Sequence, residues 1–458
     1  MKPNIILVNC DDLGYGDLGC YGSPENRTPH LDQLAEEGIR FTDFYAMCPV
    51  CSASRAGMLT GTYPPRISFV DVLFPGAAKG MKPGENTIAS LLKQQDYSTM
   101  IVGKWHCGDQ KEFLPTEHGF DHYFGIPYSN DMGRQDRGDA ARFWSQRYPD
   151  GIPPLPLLKD DEVIQEQPDQ SAITERYVEK GVSFIRDNRD KPFFLYFPQM
   201  YVHLPIYVPE NYLRNAGGDA YRAAVEHVDW SVGVLVDELR RQGLEENTLI
   251  VFTSDNGSRA MPPSGGSNAP LRGRKGQTWE GGQRVPCIMR WKGTIPEGRE
   301  CASLVAAADF LPTFVNLAGG DIPESPTIDG VDLGCLLEGN TSATPRELFF
   351  YCRGNGIEAV RDERYKLHLR KGQEDILELY DLRTDISESN DIAAESPEIV
   401  AQLQQAIDDM RARIGDDKMS IEGSERRECG HVENAVPLTT YDENHPYIIA
   451  EYDIGHCG

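Results

Sequence analysis

Through about residue 340 the apolar positions alternate between two patterns: short unbroken runs bounded by turn residues, and longer stretches with helical spacing. Asn4 to Asn9 reads as a buried strand. Thr28-Pro29 opens a helix with an N-cap and a first-turn proline; Leu31, Leu34 and Ala35 share a face, and Gly38 ends it. The same reading predicts a helix over Thr87 to Gln94, a strand over Thr99 to Val102, and a strand beginning Pro192-Phe193-Phe194. The longest helical pattern, Ala220 to Arg241, leads into a strand at Thr248 to Thr253. Val285 to Trp291 and a helix around Phe310 to Leu317 follow. Strands alternating with helices predict an α/β fold, a large and mostly parallel mixed sheet flanked by helices.

Gly339-Asn340-Thr341-Ser342 interrupts the pattern and marks a boundary, giving a catalytic-sized segment 1–345. Beyond it, Leu348 to Cys352 and Lys366 to Leu369 alternate with period two, and Pro397 to Arg413 is helical. Residues 346–422 therefore read as a smaller antiparallel sheet with one helix, and 423–458 as a tail.

Composition narrows the function. The chain has 458 residues and a net charge of −26, which argues against a nucleic-acid partner. Its apolar runs are too short to span a bilayer. Met1 leads directly into the first strand without a secretory signal, so the expected setting is the cytoplasm or a mature form whose leader has been removed. Eleven cysteines without tight spacing suit mostly free thiols.

Two strands end in chemistry. Cys10-Asp11-Asp12 closes the first and Ser254-Asp255-Asn256-Gly257 closes the strand at 248. In open α/β sheets functional groups collect at the carboxyl ends of strands. Three carboxylates and an amide oxygen form a hard set that suits calcium, with magnesium as the alternative. Taken singly, each pair reads equally well as a helix cap or turn.

Residues 51–61, Cys-Ser-Ala-Ser-Arg-Ala-Gly-Met-Leu-Thr-Gly, resemble the sulfatase signature, in which the cysteine is oxidised to formylglycine. Ala53 stands where most members of that family carry proline. Other segments resemble the same family: residues 4–22, Gly103-Lys104-Trp105-His106, His203-Leu204-Pro205, Leu271 to Pro286 with Lys275, and Leu379-Tyr380-Asp381-Leu382. The stretch around Gly125 to Ser129 is most similar to the arylsulfatase A branch. The resemblance covers roughly residues 3–410.

That resemblance implies an alkaline-phosphatase-like fold and a formylglycine-dependent, metal-assisted hydrolase of sulfate esters. It assigns the metal to Asp11, Asp12, Asp255, Asn256 and the modified Cys51, and sulfate binding to Lys104, Ser129, His203 and Lys275. The hydrated aldehyde would attack sulfur with Asp255 as base and form a sulfated enzyme. Lys275 or His203 would then protonate the leaving alcohol. His106 would take the proton from the second hydroxyl, so that sulfate leaves, and Arg55 would pair with the metal carboxylates. The expected substrate is a small-molecule or glycan sulfate ester, with a sulfated carbohydrate first and aryl sulfates as surrogates. A maturation enzyme is the implied partner, and oligomeric state is left open.

Alternatives remain at this point. The same nucleophile and metal would serve a phosphodiesterase or phosphonate monoester hydrolase, and an unoxidised Cys51 would leave a sulfated-glycan binder. Cys48 and Cys51 also have redox-pair spacing. Arg134, Arg259, Arg272 and Arg274 are candidate contacts to an anionic sugar, whereas His118 and His122 read as structural. Cys429, His431, His456 and Cys457 form a candidate zinc set in the tail.

Overall fold

The computed structural model describes residues 2–134, 141–261, 265–372, 374–445 and 447. Among them a ten-stranded sheet forms the centre. Its strands are β1 (Asn4–Cys10), β2 (Ile39–Phe41), β3 (Ser98–Lys104), β4 (His122–Ile126) and β5 (Pro156–Lys159), then β6 (Glu162–Glu166), β7 (Phe193–Pro198), β8 (Thr248–Ser254), β9 (Cys287–Arg290) and β10 (Arg299–Cys301). Their order is β10-β2-β9-β8-β1-β7-β3-β4-β5-β6. The run from β8 through β4 is parallel. Antiparallel pairs occupy both margins: β9 with β8 and β2 on one side, β5 with β4 and β6 on the other.

Both faces of this sheet are covered, which is why its central strands are unbroken apolar runs. On β1, Ile5 and Leu7 face one core while Ile6 and Val8 face the other. Helices α1 (Pro29–Glu36), α4 (Ile173–Asp187) and α5 (Ala220–Gln242) bury Leu31, Tyr177 and Val232 in the second core. Helices α2 (Cys51–Thr60), α3 (Ile88–Lys93) and α6 (Phe310–Leu317) bury Met58, Leu92 and Phe314 in the first. A four-stranded antiparallel sheet follows: β11 (Phe349–Cys352), β12 (Ile357–Arg361), β13 (Tyr365–Lys371) and β14 (Glu374–Asp381), with α7 (Pro397–Ile414) against it.

The expected fold class is the observed one, and element positions agree to within a few residues. Helix α4 and the margin β4 to β6 extend beyond the sequence expectations; β6 is half exposed and carries no apolar run. One cap differs in kind. The Thr28 hydroxyl accepts from Gly19 N and pairs with Asp32 instead of capping α1. The α1 amides of His30 and Leu31 donate to Asp229 of α5 instead. A tertiary carboxylate thus replaces the local cap.

The small sheet is tied to the large one by a buried charge network. Lys366 Nζ pairs with Glu280 at 3.0 Å and Glu388 at 2.7 Å, all three side chains fully buried. Tyr45 and Tyr351 hydroxyls donate to the Glu280 carboxylate. The described part of the tail runs back along the body. Arg66 pairs with Glu425, Arg427 with Glu85, and Gly430–His431 forms a ladder with Lys79–Gly80.

Lys366→Met should therefore strand buried carboxylates and cost about 3–5 kcal/mol in chemical denaturation. A second prediction concerns pH. Burial pushes the Asp229 carboxyl up to about 7. A raised folded pKa gives stability that is complete below the unfolded value and lost as pH rises through 7. Asp229→Asn does not titrate, so its melting temperature should gain on the parent between about pH 5 and pH 8.

Candidate active site

The site lies where the parallel strands end. Cys10 of β1 pairs with Ser254 of β8, so Asp11 and Asp12 leave the sheet beside Asp255 and Asn256. Asp255 N donates to Cys10 O at 3.0 Å, which fixes the two loops relative to one another. Asp11 N and Asp11 O bond to Tyr201 O and Val202 N, and this brings the loop after β7, with His203, to the same end. Lys104 is the last residue of β3. The preceding Gly103, at φ +134°, sits so close to β7 that a Cβ would lie 1.9 Å from Pro198 O. Asp12 and His106 hold φ of 65° and 60°, left-handed conformations that non-glycine residues adopt at some cost.

Three buried carboxylates at one point require positive charge. Arg55, one turn into α2, bonds Asp255 Oδ2 through Nε at 2.8 Å and donates to Lys104 O at 2.9 Å. The Lys104 ammonium binds Asp11 Oδ2 and reaches Ser129 Oγ at 3.3 Å. Lys275 Nζ meets Asp12 Oδ1 at 2.7 Å. His203 Nε2 lies 3.8 Å from Asp12 Oδ2, and the Ser129 hydroxyl sits 3.4 Å from its Nδ1. Burial disfavours the Asp11 anion, yet Lys104, His203 and Arg55 hold its pKa well below the usual carboxylate range. Burial and the neighbouring Asp11 charge push Asp255 upward.

Cys51 is the first residue of α2 and is 2% exposed. Burial raises its thiol pKa, while Lys104 and Lys275 act in the opposite direction. Gly276 N donates to Pro49 O at 2.8 Å and binds the Lys275 loop to the segment entering Cys51. Behind it, Leu73 O accepts from His106 Nε2 at 3.0 Å. Because that carbonyl can only accept, the neutral ring carries its proton on Nε2 and presents a lone pair at Nδ1. Burial, reinforced by Lys104, lowers the His106 pKa and keeps the ring neutral.

The donor set fits a hard divalent cation. Ligand-capable atoms of Asp11, Asp12 and His203 lie within 4.8 Å of one another. Buried Asp11 Oδ1 and Asn256 Oδ1 have no hydrogen-bond partner among the described residues, so both oxygens are available to a metal.

The metal, nucleophile and sulfate-binding residues named from the sequence lie together at this end of the sheet, Ser129 included. The arginines do not all follow. Arg272 was a candidate sugar contact, but its guanidinium stacks 3.7 Å over Trp279 and donates to Glu388 O. Arg134 stacks 3.7 Å over Tyr441 of the tail. His118 is buried and His122 exposed. Cys48 and Cys51 are free thiols, as are the other described cysteines. Of the tail zinc set, His456 and Cys457 lie outside the described residues, and Cys429 and His431 join no metal-ligating cluster among them. Two contributors escaped the sequence reading. The Leu73 carbonyl is a backbone atom that no residue type announces, and Asn130 bridges Gln170 and Pro205 O beside His203.

Strand-end carboxylates neutralised by two lysines and an arginine, with a histidine beside them, define a hydrolase centre for anionic esters. The family model for sulfatases matches residues 3–320, and the model for the C-terminal part of N-sulphoglucosamine sulphohydrolase matches 274–413. The chain belongs to the sulfatase family, within the alkaline phosphatase superfamily, and is a sulfuric ester hydrolase. It is 39% identical to arylsulfatase A of Homo sapiens over 379 residues, covering 80% of this chain and 74% of that one. To N-acetylgalactosamine-6-sulfatase of Rattus norvegicus it is 37% identical, covering 80% and 71%. The crystal structure of Ps i-CgsB in complex with k-i-k-neocarrahexaose superposes with a TM-score of 0.80 at 29% identity, covering 93% of this chain and 96% of that one. That of the PsFucS1 sulfatase from Pseudoalteromonas sp. gives 0.81 at 30% identity, covering 90% of each.

Proposed function

We propose that the protein hydrolyses the sulfate esters of a carbohydrate, using formylglycine made from Cys51 as nucleophile. The observation that carries this reading is the convergence of Cys51, Lys104 and Lys275 on the carboxylates of Asp11 and Asp12. Both lysines act electrostatically on the Cys51 thiol, so an anion held by them would lie beside the residue to be oxidised. Asp11, Asp12, Asp255 and Asn256, together with the modified residue 51, would hold calcium or magnesium, which supplies Lewis acidity toward a sulfate oxygen. Oxidation of Cys51 would supply a hydrated aldehyde, whose hydroxyl is the nucleophile.

The remaining work belongs to the chain's own side chains. Lys104, Lys275, His203 and Ser129 bind the sulfate oxygens and stabilise charge as the S–O bond breaks. Against the cost of burial, Asp12 holds Lys275 as an ammonium, which stabilises negative charge on the departing alcohol while Lys275 or His203 supplies its proton. His106, with its lone pair at Nδ1, takes the proton from the second hydroxyl so that the aldehyde is restored and sulfate leaves. Arg55 fixes Asp255, the base for the attacking hydroxyl, and through Lys104 O the end of β3. A carbohydrate substrate is supported by the likeness to N-acetylgalactosamine-6-sulfatase and to Ps i-CgsB in complex with k-i-k-neocarrahexaose.

Peptide mass spectrometry after co-expression with a formylglycine-generating enzyme tests the nucleophile. The Cys51 peptide should lose sulfur and two hydrogens and gain one oxygen; unmodified cysteine beside a converted control would sink the mechanism. A panel of sulfated sugars, an aryl sulfate and an aryl phosphate diester tests the substrate, and preference for the diester would overturn it. Metal binding has its own readout. Calcium at about a hundred times its Kd should stabilise the fold by roughly 2.7 kcal/mol. Asp11→Asn should abolish that gain in a thermal melt.

A further inference from the structure

Lys275 stands on a loop whose base is closed at Arg272. Arg272 O accepts from Gly281 N at 2.7 Å, so the chain leaves and returns to a single point. Across that closure the Arg272 guanidinium lies 3.7 Å over the Trp279 ring. The same guanidinium donates to Glu388 O at 2.8 Å and to the Tyr380 hydroxyl at 3.3 Å, both from the C-terminal part of the chain. Gly273, at φ +85°, lets the turn pass so near that a Cβ would lie 2.5 Å from Trp279 Cβ. Trp279 is itself buried with its edge against His368 at 4.3 Å. At the opposite side of the loop, Lys275 N donates to Ser258 O, Gly276 N to Pro49 O, and Lys275 Nζ reaches Asp12.

We propose that Arg272 is a positioning residue for Lys275. It is no sugar contact: its Nη1 donates to Tyr380 and Glu388, its planar face lies on Trp279, and it transmits the rigidity of the C-terminal sheet to the loop tip. The ammonium has a long flexible stem, and its usefulness to a sulfate oxygen depends on where the loop holds its Cα. This inference rests on the reading of Lys275 given above.

The test is a double-mutant cycle on matured enzyme with a small aryl sulfate, comparing the parent, Arg272→Ala, Lys275→Ala and the double variant by kcat/KM and by inhibition with inorganic sulfate. Arg272→Ala should lower kcat/KM about 10- to 100-fold in the parent background. The same change should have little further effect in the Lys275→Ala background, with melting temperature as a check on folding. Equal losses in both backgrounds would overturn the proposal, because Arg272 would then act independently of Lys275. So would an unchanged rate on the small substrate alongside a raised KM for a sulfated oligosaccharide, the mark of a direct sugar contact. Full activity in Lys275→Ala alone would sink the reading of Lys275, and this proposal with it.

Discussion

Three carboxylates, Asp11, Asp12 and Asp255, are held together in the interior at the end of the central sheet, and the surrounding structure is arranged to tolerate that. Isolated buried anions cost several kcal/mol each, so their presence dictates cations at short range. Arg55 comes from the first turns of α2, Lys104 from the end of β3 and Lys275 from a distant loop. Each arrives on a different element, which makes the site a meeting point of the fold. The protein has a net charge of −26, yet here cations offset the carboxylates one for one, so the site does not share the global excess of negative charge.

The small C-terminal sheet takes part in this arrangement although none of the proposed catalytic side chains lies on it. Lys366 reaches out of that sheet to Glu280 and to the carbonyl of Thr278, and Glu388 accepts from Glu280 N. These contacts anchor the far end of the segment that begins at Lys275. A buried ionic network is a poor source of net stability but a strict determinant of geometry, because any displacement leaves a charge without a partner.

Much of this was legible in the sequence. Strand and helix positions followed from apolar runs and caps, and the chemistry-bearing residues clustered at strand ends as α/β topology requires. What the sequence could not show were interactions with no residue-type signature. The α1 amides find Asp229 on another helix while Thr28, a good local cap by type, turns to Asp32. Arg272 looked like a surface cation next to Lys275, and only the packing of Trp279 reveals that its half-buried guanidinium is held against the fold. The edge strand β6 carries mixed polar and apolar residues because it meets solvent, and that erases the run that marks a central strand.

The pairing of β1 with β8 has a temporal meaning. Asn4 lies against Thr248 and Cys10 against Ser254, so the central strand has no partner on that side until the ribosome has passed residue 254. Cys51, 2% exposed in the finished fold, emerges some 200 residues earlier, roughly 10–40 s at ordinary elongation rates. Any macromolecular catalyst that acts on its thiol has that interval, and closure of the sheet ends it. Were Cys51 oxidised during synthesis, the chain's long-range topology would set the interval for that step.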